Sequence, residues 1–309
     1  MSEAKSLKLD THVVIGGVEM KNPVTTASGT FGSGREYAEL VDLNRLGAVT
    51  CKGVSEKPWM GNATPRVAET YGGMLNAVGL QNPGVDAFIR EDIPFLRQFD
   101  TKIIVNVCGH TLQEYCGVVE KLADADVDLL ELNISCPNVA EGGITFGTNW
   151  KMVEQVVGEV KRRAKQPLIV KLTPNVTDID VIAKAAEVAG ADAISMINTL
   201  LGMKIDLRTR KPLLANKTGG LSGPAIKPVA VRMVYQVAQA VKVPIIGMGG
   251  VANGEDAVEF LLAGATMVAV GTANFANPLA TVETVEGIEA YMKQYGVTKI
   301  TDLIGAAWK

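Results

Sequence analysis

Short apolar runs, rich in valine and isoleucine, recur along the chain and alternate with segments that have the periodicity of amphipathic helices. The runs rarely alternate with polar residues, which is typical of parallel strands buried on both faces. They predict eight strands, at residues 24–27, 48–53, 102–107, 129–133, 168–171, 193–197, 245–247 and 267–270. Helices are predicted between them, including residues 112–125, 150–164, 179–189, 226–240 and 255–263.

Eight strands that each precede a helix-compatible segment predict an α/β fold, a (β/α)8 TIM barrel that forms a single domain over residues 1–309. An open doubly wound sheet is the main alternative, but it would more readily place a Gly-x-Gly-x-x-Gly turn after the first strand. The segment 28–32 there, Ser-Gly-Thr-Phe-Gly, does not match. Near the N-terminus, Gly16-Gly17 separates two apolar runs and predicts a β-hairpin that caps the barrel floor.

Two predicted connections are unusually long, 135–149 after the fourth strand and 198–223 after the sixth. Connections of this length in a compact domain are usually lids or binding loops. Both follow the carboxyl ends of strands, where barrel enzymes place their active sites. We therefore expect the ligand site at this end of the barrel.

Charge and composition argue against several classes of protein. The net charge is −3 and no block of lysine and arginine occurs, so nucleic acid is not expected as a partner. No apolar run approaches the roughly 18 residues that span a bilayer, and the N-terminus lacks the apolar core of a signal peptide. We therefore expect no membrane association and a cytoplasmic location. Widely spaced cysteines without a Cys-x-x-Cys pair argue against a metal site, an iron–sulfur cluster or a disulfide scaffold in this chain; they are Cys51, Cys108, Cys116 and Cys136.

Polar residues follow or end most of the predicted strands, and two lysines and three asparagines stand out among them. Amides offer both donors and acceptors and lysine offers charge, so their convergence on one barrel mouth suits a planar, anionic ligand that carries amide groups. The residues are Ser28, Lys52, Asn106, Asn133, Lys171, Asn198 and Thr199.

Cys136 differs from the other cysteines because it lies on a loop, three residues past the fourth strand. The other three fall in strand or helix patterns and are expected to be small buried hydrophobes. Neither His12 nor His110 is placed to activate Cys136, so a Cys-His acyl-transfer mechanism is poorly supported. A thiolate that acts alone as a general base is chemically reasonable, because the pKa of a thiol lies near the operating range.

Glycine-rich segments follow the seventh and eighth strands, at residues 246–251 and 270–273. Glycines there expose backbone N–H groups beside a helix N-terminus, where a phosphate can dock. The segments alone do not separate a flavin from a sugar phosphate. They also permit a phosphate-binding lyase or isomerase that uses Lys171 as a Schiff base.

With these residues assembled, the chain resembles the family 1 dihydroorotate dehydrogenases, the soluble flavoenzymes of pyrimidine synthesis. The resemblance runs over essentially the whole chain and includes Asn133-Ile134-Ser135-Cys136-Pro137-Asn138. Its other dense segments are 22–32, 52–53, 61–66, 76–84 and 218–224, together with the two glycine segments.

The resemblance implies flavin mononucleotide (FMN) at the carboxyl mouth of the barrel. It implies that the ring and ribityl chain are lined by Ser28, Lys52, Gly53, Asn106, Asn133, Lys171 and Ile197. It implies that the ribityl chain and phosphate are lined by Gly223, Gly249, Gly250, Gly271 and Thr272. The dihydroorotate or orotate site would comprise Lys52, Asn76, Ala77, Val78, Gly79, Leu80, Asn133, Asn198 and Thr199. No metal is implied.

The resemblance also implies the chemistry. The cysteine at position 136 would be the catalytic base that takes the proton from C5 of dihydroorotate, while a hydride leaves C6 for the flavin. Lys171 would stabilise the reduced flavin and Lys52 would hold the substrate carboxylate. A role as a docking subunit that merely carries flavin is disfavoured by the retained Cys136 and Asn133.

Segments 133–138, 141–147 and 218–224 look more like the NAD-linked group of the family than the fumarate-using homodimers. In that group a separate subunit carries FAD and a [2Fe-2S] cluster. The expected assembly is therefore a heterotetramer of two catalytic chains and two iron–sulfur flavoprotein chains, with electrons passed to NAD. A fumarate-using homodimer remains the alternative.

Overall fold

The computed structural model describes residues 8–135 and 144–308. Its strands are β1 (Val13–Ile15), β2 (Val18–Met20), β3 (Val24–Thr26), β4 (Ala48–Thr50), β5 (Val67–Thr70), β6 (Gly73–Asn76), β7 (Lys102–Val107), β8 (Leu129–Asn133), β9 (Leu168–Lys171), β10 (Ala193–Met196), β11 (Leu200–Met203), β12 (Ile205–Asp206), β13 (Lys211–Pro212), β14 (Thr218–Ser222), β15 (Ile245–Met248) and β16 (Met267–Val270). The helices are α1 (Val85–Ala87), α2 (Ile93–Leu96), α3 (Leu112–Leu122), α4 (Ile144–Gly147), α5 (Trp150–Lys161), α6 (Ile179–Val188), α7 (Lys227–Ala240), α8 (Gly254–Ala263), α9 (Ala273–Ala276) and α10 (Ala280–Tyr295). A π-helical turn, Phe88–Asp92, joins α1 to α2.

Eight parallel strands form a barrel in the order β3-β16-β15-β10-β9-β8-β7-β4. The ring is completed where β4 meets β3: the Gly47 N–H donates to the Val24 carbonyl at 3.1 Å, and the Thr50 N–H donates to Thr26 Oγ1 at 3.0 Å. This arrangement confirms the predicted barrel and excludes the open doubly wound sheet. The strands are buried on both faces, as their valine-rich and isoleucine-rich sequences predict.

Helices pack around the barrel and begin close to where the sequence predicts. The side chain of Thr111 accepts a hydrogen bond from the Glu114 N–H at the start of α3, and Asn149 caps α5 in the same way. These side chains satisfy backbone donors that a helix start leaves unpaired. Gly264 ends α8 in the left-handed conformation. Three of the five predicted helices end one to three residues later than the observed ones, as is common at helix termini, and the other two end at the observed residue.

The hairpin of β1 and β2 closes the floor of the barrel, as predicted. A Cβ added to Gly16 in its turn would lie 2.8 Å from Cβ of Pro167 and 3.4 Å from Cβ of Asp192. These two residues directly precede β9 and β10. The hairpin turn therefore packs against the amino ends of the barrel strands.

A second sheet, which the sequence did not predict, lies at the opposite end. It is antiparallel, has the order β11-β14-β6-β5, and is called the roof sheet below. Two strands come from the connection after β4 and two from the connection after β10, and they join where Asn76 pairs with Gly220. Half of the predicted binding loop at 198–223 is therefore strand. Of the other predicted loop, 135–149, residues 136–143 lie outside the described residues, and α4 begins directly after them.

No helix in the two described ranges is both long and apolar enough to cross a membrane.

Candidate active site

A cavity of about 660 Å³ lies between the carboxyl ends of the barrel strands and the roof sheet. Its volume falls within the range of about 300–1,000 Å³ that is typical of small-molecule sites. Seven of the barrel strands contribute residues at or just after their ends: Ser28, Lys52, Asn133, Lys171, Asn198, Gly249 and Gly271. Because the strands are parallel, all of these residues point toward one mouth.

Most of the site residues expected from the sequence line this one cavity. They are Ser28, Lys52, Asn76, Val78, Gly79, Leu80, Asn133, Lys171, Ile197, Asn198, Thr199, Gly223, Gly249, Gly250, Gly271 and Thr272. Three expected residues are not on its wall. Ala77 is fully buried and packs in the small apolar cluster of the roof sheet. Asn106 is also fully buried, and Gly53 lies beside it: a Cβ at Gly53 would be 3.0 Å from Asn106 Oδ1.

The cysteine expected to be the catalytic base, Cys136, lies outside the described residues. The other three cysteines are buried, as their strand and helix patterns predict. Burial raises the pKa of the Cys51 thiol and that of the Cys116 thiol. Buried thiols of this kind stay protonated and unreactive.

An acidic residue that the sequence analysis missed, Glu131, lies inside the barrel with 1% of its surface exposed. Its Oε1 lies 3.7 Å from Nζ of Lys171, which is itself 3% exposed. The Lys171 ammonium also donates to Ser28 Oγ at 3.1 Å. The available signal was a single acid in the middle of a strand, Leu-Leu-Glu-Leu-Asn, that is buried on both faces. Such a charge requires nearby partners of opposite charge or hydrogen-bond donors.

Amides connect this ion pair to the cavity wall. Asn106 Nδ2 donates to Glu131 Oε1 at 2.6 Å, and Asn133 Nδ2 donates to Asn106 Oδ1 at 3.1 Å. Ser135 Oγ donates to Asn133 Oδ1 at 2.9 Å and accepts from Asn198 Nδ2 at 2.8 Å. Asn106 therefore contributes to the site without reaching the cavity, because it accepts a hydrogen bond from the amide of Asn133 and fixes its orientation.

The Lys52 ammonium lies beside the turn that follows β3. A Cβ added to Gly29 would be 3.4 Å from Lys52 Nζ. Ser28, the neighbouring residue of this turn, accepts from Lys171. The ammonium groups of Lys52 and Lys171 thus both lie beside the turn at Ser28 and Gly29. Both positive charges favour an anionic ligand in the cavity.

Glycines shape the far wall, after β15 and at the end of the roof sheet. Gly249 has φ +118° and Gly250 has φ +92°, conformations that favour glycine. A Cβ at Gly249 would lie 2.9 Å from Cβ of Ala230, and one at Gly250 would lie 2.7 Å from Cβ of Lys227. Across the cavity, Thr272 Oγ1 donates to Ser222 Oγ at 2.7 Å and ties the end of β16 to the roof sheet. At Gly249 and Gly250 the wall is therefore glycine backbone packed closely against neighbouring side chains.

Within residues 8–135 and 144–308, no group of three histidine, cysteine or acidic side chains is arranged to hold a metal ion. The described part of the cavity instead offers ammonium groups, amides, hydroxyls and glycine backbone. The fold and this cavity are those of a β/α-barrel enzyme, and the groups at the carboxyl ends of its strands suit a small anionic ligand.

Comparison with known proteins identifies the family. Residues 10–292 match the family model described as dihydroorotate dehydrogenase. The chain is 72% identical over 293 residues to a protein of Alkaliphilus oremlandii, covering 95% of this chain and 97% of that one. It is 70% identical to a protein of Alkaliphilus metalliredigens (97% and 99% covered) and 57% identical to one of Geotalea uraniireducens (97% and 98% covered). All three are named dihydroorotate dehydrogenase B (NAD(+)), catalytic subunit.

The chain belongs to the dihydroorotate dehydrogenase family. The resemblance seen in the sequence motifs is thereby confirmed.

Proposed function

We propose that the chain is the catalytic subunit of an NAD-linked enzyme that oxidises dihydroorotate to orotate in pyrimidine biosynthesis, with FMN as its bound cofactor. One observation carries the proposal: a single cavity brings together most of the residues that the family resemblance implies for flavin and substrate, and seven separate strand ends contribute to it. The names of the relatives support the substrate and the NAD-linked class.

The residues present fit FMN. The cavity has the volume of a cofactor site, and its far wall at Gly249 and Gly250 has no room for side chains. Exposed glycine backbone of this kind suits a phosphate. The buried ammonium of Lys171 suits a ring system that becomes more negative on reduction. When bound, the flavin supplies the hydride acceptor.

The chain's own groups then bind and orient the substrate. Lys52 provides a positive charge for the substrate carboxylate. Asn133 and Asn198 provide amides on the cavity wall, each fixed by hydrogen bonds to Ser135. Fixed amides lower the entropy cost of orienting the ring. We assign proton removal from C5 of the substrate to Cys136, on the sequence motif alone.

The electron acceptor is proposed to be NAD, reached through a separate subunit that carries FAD and a [2Fe-2S] cluster. The relatives' name, a catalytic subunit of an NAD(+) enzyme, supports a partner chain. We propose a heterotetramer of two chains of each kind. The fumarate-using homodimer is the alternative, whereas family membership argues against the Schiff-base lyase.

The test of the substrate assignment is anaerobic titration of the FMN-saturated protein with dihydroorotate. Bleaching of the flavin absorbance, with one orotate formed per flavin, is the expected result. Succinate is the control, because it is an oxidisable carboxylate without the amide ring. A flavin-saturated protein that dihydroorotate does not bleach would overturn the assignment.

The test of the acceptor uses the same reduced protein. Addition of NAD alone should leave the flavin reduced, whereas NAD plus the iron–sulfur flavoprotein should reoxidise it. Rapid reoxidation by fumarate without a partner would instead establish the homodimeric alternative.

A further inference from the structure

Glu131 lies behind the cavity wall, at the middle of β8, and groups able to donate hydrogen bonds surround it. Its Oε1 accepts from Asn106 Nδ2 at 2.6 Å and lies 3.7 Å from Lys171 Nζ. Its Oε2 lies 2.6 Å from Ser195 Oγ. Lys171 is on the cavity wall and Glu131 is not. The carboxylate can therefore act on a ligand only through its field and its partners.

The directions of the amides show that Glu131 Oε1 is an acceptor. The backbone N–H of Ser135, which can only donate, points to Asn133 Oδ1 at 3.2 Å. Asn133 must then turn its Nδ2 toward Asn106 Oδ1. Asn106 must in turn present its Nδ2 to Glu131. The amide directions follow from which atoms can donate.

With Asn106 donating to Oε1 and the Lys171 ammonium 3.7 Å from the same oxygen, Glu131 and Lys171 form a buried pair of opposite charges. The pair is nearly neutral from a distance, yet its cation is on the cavity side. The positive field that Lys171 delivers to the cavity is therefore reduced by the carboxylate. Fields of this kind are stronger in a protein interior than in water.

We propose that Glu131 is a positioning residue that lowers the reduction potential of the bound flavin, by holding a negative charge against the Lys171 ammonium. The inference rests on the proposed function, since it needs FMN in the cavity. Reduction makes the flavin more negative, so a fixed carboxylate nearby disfavours the reduced form and the ammonium favours it. The carboxylate thus sets how strongly the Lys171 ammonium stabilises the reduced flavin.

The experiment is a redox titration of the FMN-loaded Glu131→Gln variant. Glutamine has the same shape: its Oε1 still accepts from Asn106, and its amide can donate to Ser195 Oγ. The substitution removes the charge and keeps both contacts, although the hydrogen bond with Ser195, which donates to Oε2 in the wild type, is reversed. We expect the variant to bind reduced FMN about tenfold more tightly, relative to oxidised FMN, than the wild type does, which for a two-electron couple raises the midpoint potential by about 30 mV.

Ser195→Ala is the matched control. It removes a hydrogen bond from Oε2 but leaves the charge in place, so its midpoint potential should equal that of the wild type. A merely structural role for Glu131 would move the potentials of both variants alike, or of neither. If Glu131→Gln does not take up flavin, Lys171→Gln is compared with the Lys171→Gln/Glu131→Gln double variant. The double variant should have the higher potential.

The outcomes separate this inference from the proposed function. Failure of the wild type to take up FMN would overturn both. Uptake of FMN and bleaching by dihydroorotate, with equal potentials in wild type and Glu131→Gln, would overturn only the role of Glu131.

Discussion

Lys171 and Ser28 meet across the interior of the barrel: the lysine Nζ donates to the serine Oγ at 3.1 Å. Their strands, β9 and β3, lie four positions apart in a ring of eight, so they face each other. The hydrogen bond therefore spans the barrel mouth directly below the cavity. It holds the ammonium at the point where a ligand enters the barrel.

The first prediction concerns the partners of this ammonium. Ser28→Ala removes one acceptor, and we expect a loss of about 1 kcal/mol in the free energy of unfolding, since cavity water can replace the hydroxyl. Lys171→Met leaves the Glu131 carboxylate buried without its cation, and we expect a loss of about 3–5 kcal/mol. Urea unfolding of the flavin-free proteins measures both. Equal losses would contradict the unequal burial of the two groups.

The second prediction concerns Cys136, whose role rests on the sequence motif. Cys136→Ser should still bind FMN but reduce it far more slowly at neutral pH, because a serine hydroxyl is a weaker base than a thiolate. Stopped-flow measurement of flavin bleaching checks the rate, and the FMN content of the purified variant serves as the control. Reduction at the wild-type rate would remove Cys136 from the mechanism.

The third prediction uses two glycines with similar backbone angles. Gly250 has φ +92° and packs against Lys227 Cβ and the Gly223 carbonyl, whereas Gly17 has φ +82° and nothing within 4 Å of an added Cβ. Gly17→Ala should cost about 1–2 kcal/mol of stability from backbone strain alone and leave FMN binding unchanged. Gly250→Ala adds a steric clash in the cavity wall.

We therefore expect Gly250→Ala to weaken FMN binding by about tenfold or more, an energy change of at least about 1.4 kcal/mol. Fluorescence titration of the apoprotein with FMN measures this. If Gly17→Ala weakened FMN binding as much as Gly250→Ala does, general destabilisation and not the cavity wall would explain the loss.

The fourth prediction follows from the raised pKa of the buried Cys51 thiol. In the unfolded chain this thiol ionises near pH 8.5, whereas in the folded protein it stays protonated. Above that pH the unfolded state binds fewer protons than the folded state, so the free energy of unfolding decreases. One such group contributes at most about 1.4 kcal/mol per pH unit.

Cys51→Ala should therefore be less stable than the wild type at pH 7, by about 1 kcal/mol. The gap should shrink above about pH 8.5, close near pH 9 and reverse by about pH 10, because ionisation of the unfolded chain then costs the wild type about 2 kcal/mol. Urea unfolding across this range measures the gap. Val49→Ala, in β4 two residues before Cys51 and equally buried, is the control and should keep a constant gap. A constant gap for Cys51→Ala would contradict the assigned cause.

The barrel could be predicted because its strands are local, apolar and buried on both faces. The roof sheet could not, because its strands are only partly buried and three of the four contain glycine. Glycines at positions 73, 202, 219 and 220 read as loop signals. In the structure they permit close approach instead: a Cβ at Gly73 would lie 2.0 Å from the Ser222 carbonyl oxygen. Pairing between distant segments leaves no local signature.

The site was predictable where residues end barrel strands, since the fold brings those ends together. Glu131 was missed because most of its neighbours in the strand are apolar. Their pattern predicts a buried strand, but it does not indicate that the carboxylate of Glu131 is buried with them. Asn106 was expected on the flavin, whereas its amide is used by Glu131 and Asn133. Which side chains meet inside a barrel depends on how neighbouring strands are placed relative to one another. A single sequence does not show that placement.

The pairing of Asn76 with Gly220 also constrains the order of events during synthesis. The two residues are 144 positions apart, so at about 5–20 residues per second β6 waits roughly 7 to 30 s for β14 to be made. Throughout that interval one edge of β6 is open to pairing with another chain. The cavity wall is complete only when Ala280 has also emerged. We therefore expect the cofactor to bind only when synthesis of the chain is nearly finished. A nascent chain stalled before residue 218 exposes an edge of β6 that is paired in the mature protein.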